Sequence, residues 1–133
     1  MPFDTIYVVA AVIKNDKGEF LITQRMPNAR YGGYWEFPGG TVEAGETPKQ
    51  ALIRELKEEL NVEIKVSDIY WHELFKTAQK IIDIQFINCT LTPENQTIEK
   101  VEVADYRWVN VNELNQYQFP EADESFISHL TGS

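Results

Sequence analysis

GGTVEAGETPKQALIRELKEELNV, residues 39–62, opens on a glycine pair and closes on a dense cluster of acid and base. Thr47 can cap a helix with Pro48 at its first position, and Ala51, Leu52, Leu56 and Leu60 then recur at helical spacing. The pattern predicts a helix from Pro48 that ends near Asn61. On that helix Glu55, Glu58 and Glu59 stand at i, i+3 and i+4, so they project from one face within reach of a common point. Left uncompensated, they would repel. The neighbouring stripe of Leu52, Leu56 and Leu60 sets the acidic face beside a packed core, at the border of a cleft. Clustered oxygens suit hard divalent cations, and Mg²⁺ is usually held by a few carboxylates together with waters and substrate phosphates. The alternative is a solvated face stabilised by pairs such as Arg54 with Glu58.

Outward from this helix, the chain reads mainly as strands. Ile6 to Lys14 is a nearly continuous apolar run ending at the turn signal Asn15-Asp16-Lys17-Gly18, and Phe20 to Gln24 is expected to return from it as a hairpin. Residues 26–34, with Pro27, Asn28, Gly32 and Gly33, read as a loop that leads through Trp35-Glu36-Phe37 to Pro38-Gly39-Gly40. Beyond the helix, Glu63 to Val66 and Ile69 to Phe75 suggest two extended segments. Lys80 to Leu91 is rich in β-branched residues, and Tyr106 to Val109 is a further short strand. Val111 to Tyr117 and Glu121 to Leu130 suggest two short helices. Strands on both sides of a helix predict a mixed sheet covered by helices, an α/β or α+β layer fold.

Composition narrows the function. With 133 residues, 43% of them hydrophobic and 12% aromatic, one core can be buried, so a single domain over residues 1–133 is expected. The formal charge of -9 argues against holding nucleic acid or an anionic membrane through a broad basic surface. Any anionic ligand would need a local arrangement. Cys89 is the single cysteine, no charged and apolar leader precedes the first strand, and no stretch approaches a bilayer span. A soluble cytoplasmic protein is expected, with a possible disordered tail at Thr131-Gly132-Ser133.

The complete spacing is Gly40, five residues, Glu46, seven residues, Arg54-Glu55-Leu56, one residue, Glu58-Glu59, one residue, Asn61-Val62. It resembles the Nudix box, and the preceding EFPGG looks like the MutT-type branch. Asn61 departs from the usual glycine; asparagine is the next most tolerant residue for a left-handed helix end. The resemblance implies a Nudix fold, α+β, with a mixed sheet sandwiched between helices. It also implies Mg²⁺ or Mn²⁺ held by Glu55, Glu58, Glu59 and a carbonyl at Gly39, with Glu102 reaching the metals from a loop. Gly40 serves the sharp turn, and Arg54 with Glu46 holds the loop against the helix, as a guanidinium fork can hold a carboxylate.

The implied reaction is water attack on a phosphorus of a nucleoside diphosphate derivative, giving nucleoside monophosphate and pyrophosphate from a triphosphate, with Glu55 or Glu102 as general base. Among positions matching the MutT type, Arg25 would contact phosphate or sugar, where the alternative is an ordinary surface arginine. Phe37 would lie near the base or belong to the core. Asp123 stands where that type has an asparagine that reads the purine edge; an ionised aspartate only accepts, which favours a donor-rich base edge. His72 and His129 fall in no ligand pattern. The first reading is therefore a nucleotide-pool sanitising enzyme acting on 8-oxo-dGTP, and the second a CTP or dCTP pyrophosphohydrolase. A non-catalytic nucleotide-binding module on the same fold is the third. The expected partner is a nucleoside triphosphate, with no nucleic acid polymer and no membrane, bound by a monomer or homodimer.

Overall fold

The computed structural model describes residues 4–132. Its centre is a four-stranded mixed sheet in the order β4-β1-β6-β5, built from β1 (Asp4–Ile13), β4 (Gly39–Thr41), β5 (Ile64–Lys76) and β6 (Lys80–Leu91). β1 runs parallel to β6, and the other two pairings are antiparallel. A second sheet, antiparallel throughout, orders β3 (Trp35–Glu36), β2 (Phe20–Gln24) and β7 (Asp105–Val109) as β3-β2-β7.

The apolar run in β1 is continuous because both of its faces are covered. Val9, Ala11 and Ile13 pack with Ala51, Leu52, Leu56 and Leu60 of helix α1 (Pro48–Leu60). Ala10 and Val12 point the other way, into a core shared with Phe86 and with Phe126 and Ile127 of helix α2 (Glu124–Thr131). The central sheet is thus sandwiched between two helices. Among the described residues no helix is long and apolar enough to cross a membrane.

The expected hairpin of the first two strands does not form. Both edges of β1 are taken, one by β4 and the other by β6, so β2 crosses to the second sheet and only a Lys14–Phe20 bridge remains. The turn itself is as read: Asn15 Oδ1 accepts from the Lys17 and Glu19 N–H groups, and Gly18 takes φ +76°. The two segments expected after the helix merge into the single strand β5, whose pairing with β6 shifts register twice between Val66 and Trp71. Val111–Gln116 forms a 3₁₀ helix, and a 3₁₀ turn, Glu121–Asp123, leads into α2. Thr131 ends α2 and Gly132 closes it in the left-handed conformation; Ser133 lies outside the described residues.

Candidate active site

Helix α1 starts where the sequence predicts. Thr47 Oγ1 accepts from the Gln50 N–H and Gln50 Oε1 from the Thr47 N–H, a reciprocal cap with Pro48 as the first helical residue. At the other end Asn61 adopts φ 53°, ψ 45° and donates its N–H to the Lys57 carbonyl. Between these ends, Arg54 ties the helix to the loop before it. Its Nε and Nη2 grip Glu46 at 2.7 and 3.0 Å, Nη2 also donates to the Thr41 carbonyl at 3.1 Å, and Nη1 reaches Glu58 at 3.1 Å. The fork holds the Glu46 carboxyl below its ordinary range.

The glycine pair lies between β1 and this helix. A Cβ on Gly39 would stand 2.0 Å from the Val9 carbonyl oxygen, and one on Gly40 would stand 2.0 Å from Glu55 Oε2. Gly39 therefore lets β4 pair closely with β1, while Gly40 leaves the volume that the Glu55 carboxylate fills.

Glu59 is the buried member of the acidic face, 9% exposed, and its Oε1 has no hydrogen-bond partner. Burial pushes its carboxyl up to about 9; Glu36 and Glu55 add to the shift, and a hydrogen bond from the Gly39 N–H opposes it. Glu55 is also raised, mainly by burial, with Arg54 opposing and with Glu58 and Glu102 adding. A buried carboxylate with an orphaned oxygen, surrounded by further acids, fits a divalent cation, because the ion would supply the charge and the ligation these oxygens lack. Among the described residues, no three acid, His or Cys side chains already form a closed ligand set. Glu58 explains part of this, since it is turned onto Arg54.

Glu102 belongs to a loop docked on the end of α1. The Val101 and Glu102 N–H groups donate to the Glu59 carbonyl at 3.0 and 3.1 Å, and the Glu99 N–H to the Leu60 carbonyl at 3.0 Å. These bonds satisfy carbonyls that a helix end leaves unpaired. They also bring Glu102 close enough to raise the Glu55 pKa. The long sequence separation hid this junction from any local pattern.

Glu59 is also coupled to a second set of polar groups through Glu36. Arg25 Nη1 pairs with Glu36 at 3.1 Å while its Nε donates to the Arg30 carbonyl at 2.5 Å. Burial raises Glu36 against the pull of Arg25. Asp123, half-buried, is pushed up to about 7 by desolvation and then by Glu36. Glu36 thus couples electrostatically to both Glu59 and Asp123. The sequence reading gave it no role, although a charge flanked by Trp35 and Phe37 was the available signal.

Beside Arg25 opens a cavity of about 420 Å³, lined by Arg30, Lys76, Lys80, Tyr31 and Phe75 among others. Phe37 resolves to its core alternative. It is 3% exposed and packed against Phe20, Phe86, Phe119 and Phe126, so it has almost no surface to offer a base. His72 pairs with Asp83 at 2.8 Å and His129 stacks on Trp71, both outside the acidic face.

The NUDIX domain family matches residues 4–130. The chain belongs to the Nudix family. It is 36% identical over 128 residues to the 8-oxo-dGTP diphosphatase of Haemophilus influenzae, covering 94% of this chain and 90% of that one. It is 35% identical to the CTP pyrophosphohydrolase of Escherichia coli, over 89% of this chain and 85% of that one. Among solved structures it resembles the MutT protein of Methanosarcina mazei with a TM-score of 0.84 at 27% identity, covering 98% and 95% of the two chains. The E. coli ORF135 protein gives a TM-score of 0.80 at 32% identity, covering 98% and 91%. As a Nudix hydrolase of the MutT-like type, the chain has a metal-dependent phosphoanhydride hydrolysis as its family activity.

Proposed function

We propose that this Nudix hydrolase cleaves a nucleoside triphosphate to the nucleoside monophosphate and pyrophosphate, with Mg²⁺ or Mn²⁺ held by Glu55, Glu58, Glu59, Glu102 and the Gly39 carbonyl. The observation that carries this reading is the buried Glu59 carboxyl, pushed up to about 9 and left with an orphaned oxygen beside Glu55. A bound divalent ion would neutralise phosphate oxygens and lower the pKa of a coordinated water. Glu58 would leave Arg54 to join it, and Arg54 would keep its bidentate grip on Glu46. Glu55 or Glu102 then takes the proton from the attacking water. Glu102 is the more exposed of the two and free of the Arg54 contact that Glu55 makes at 3.6 Å.

The cavity beside Arg25 suits the nucleotide. Arg25, Arg30, Lys76 and Lys80 line one cavity in a chain of net charge -9, together with Tyr31, Phe75 and a single acid, Glu121. Cations and aromatic rings in one cavity suit an aromatic anion, and Arg30 already lies over the Tyr31 ring at 5.4 Å. We take 8-oxo-dGTP as the first substrate, in line with the names of the similar diphosphatases, and CTP or dCTP as the second. Asp123 favours the second reading when ionised, because it can then only accept, and the first when protonated, because a carboxylic acid donates and accepts as asparagine does.

Pyrophosphate release from 8-oxo-dGTP, dGTP, dCTP, CTP, ADP-ribose and a dinucleoside tetraphosphate tests the proposal. We expect turnover of a nucleoside triphosphate with Mg²⁺ or Mn²⁺ and none in excess EDTA. Preference for ADP-ribose or the dinucleotide would overturn the substrate class. No turnover of any compound would favour a binding module.

A further inference from the structure

We infer that Asn61 is a positioning residue whose side chain ties down the loop bearing Glu102 and so fixes that carboxylate beside Glu55. The inference rests on the reading that Glu102 serves the reaction. Asn61 occupies the left-handed position at the end of α1, with φ 53°, and closes the helix through its own N–H. Glycine would meet that backbone demand at least as well, and it is the usual residue of the box there. The backbone alone therefore gives no reason for asparagine. The side chain gives one: Asn61 Nδ2 donates to Glu99 Oε2, three residues before Glu102.

The rest of the loop is held by backbone bonds at the helix end and, beyond Glu102, by the buried Val103 side chain and the Ala104 N–H, which reaches the Gln24 carbonyl at 2.8 Å. Glu99 N–H reaches the Leu60 carbonyl, and Val101 and Glu102 N–H groups share the Glu59 carbonyl. Upstream, Gln96 and Glu63 exchange two hydrogen bonds at 2.9 and 2.8 Å, Glu63 N–H to Gln96 Oε1 and Gln96 Nε2 to the Glu63 carbonyl. Between these anchors, the Asn61 arm is the side-chain tie that spans from the helix cap to the loop. It holds Glu99, and Glu99 fixes where the next three residues start. An exposed hydrogen bond is worth about 1 kcal/mol, close to a fivefold change in the docked population. That is small for the stability of the domain and sizeable for a carboxylate that must stand ready at one point.

Asn61→Gly and Glu99→Ala each remove the tie, whereas Glu99→Gln keeps an acceptor oxygen. Hydrogen exchange reads the tie directly. Asn61→Gly and Glu99→Ala should speed exchange of the Val101 and Glu102 amides by about three- to tenfold, and Glu99→Gln should restore near wild-type rates. In steady state the first two variants should lower kcat by a similar factor with KM for the nucleotide unchanged and Tm lowered by no more than about 4 °C. The double variant should be no worse than either single one, since both remove one interaction. Unchanged exchange at Val101 and Glu102 would overturn the tie whatever the kinetics, and so would additive losses in the double variant. Glu102→Gln separates the two levels. If it leaves kcat intact, the role given to Glu102 fails. If it lowers kcat and Asn61→Gly in that background lowers it further by the same factor, then Asn61 acts elsewhere and the inference is wrong.

Discussion

At Asp123, burial and the nearby Glu36 hold the carboxyl up to about 7, so a change of one pH unit alters what it can offer a base. At pH 6 most molecules carry the protonated form, which donates and accepts; at pH 8 most carry the carboxylate, which only accepts. The sequence showed an acid where the MutT type has asparagine, and an acid at that point reads as a pure acceptor. Its surroundings were not legible, because Glu36 lies far back in the chain and only the fold brings the two together. The ratio of kcat/KM for 8-oxo-dGTP over dCTP should therefore fall by about fivefold or more between pH 6 and pH 8, as one hydrogen bond is lost in a buried site. Asp123→Asn, which does not titrate, should give a flat ratio. Parallel profiles for the two nucleotides in wild type would remove Asp123 from base selection.

Helix α1 and the glycine strand β4 show which elements a sequence can declare. The helix was legible from Thr47 to Asn61 because its caps and leucine stripe are local, and the structure keeps both ends. The partner of β1 was not, because strand pairing is decided by which edges are free; β4 and β6 occupy both, and β2 goes elsewhere. The glycine pair reads as a sharp turn in the sequence, but the structure sets it in strand β4, opposite Ala10 and Val9, because only residues without a side chain fit so close to β1 and Glu55; its two members do different work. Ala at Gly39 would drive Cβ into the Val9 carbonyl and within 2.8 Å of Ala10 Cα, backbone atoms at the centre of the sheet. Ala at Gly40 would meet only the end of the Glu55 side chain, which can rotate away. Gly39→Ala should thus destabilise the domain by about 1–3 kcal/mol, visible as a lower Tm. Gly40→Ala should melt near wild type and lose about 100-fold in kcat, because Glu55 leaves its place. A Gly40→Ala enzyme with full turnover would deny Glu55 its position in the site.

For the molecule as a whole, the buried acids make stability, pH and metal a single problem. The Glu59 pKa of about 9 lies above the 4.5 of an ordinary glutamate. Between those values the folded state keeps a proton that the unfolded state has lost, so stability is greatest on the acid side and falls as pH rises through that window. Glu36, Glu55 and Asp123 are raised as well and act in the same direction. Glu46, lowered by Arg54, acts the opposite way, contributing stability at neutral pH that is lost in acid. A cation bound at Glu59 and Glu55 would displace the proton, so its affinity should rise with pH and its stabilisation should grow where the metal-free domain weakens. In EDTA, wild-type Tm should therefore drop between pH 6 and pH 9. Glu59→Gln, which has no charge to bury, should melt higher than wild type at pH 8 by about 3 °C or more, equivalent to roughly 1–3 kcal/mol. In saturating Mg²⁺ the order should reverse, with wild type gaining stability and the variant nearly none, and the variant should retain little turnover. Thermal melts at three pH values with and without Mg²⁺ would show the crossing. If Glu59→Gln melts below wild type in EDTA at pH 8, the Glu59 carboxyl is satisfied within the protein, and the orphaned oxygen is no argument for a metal.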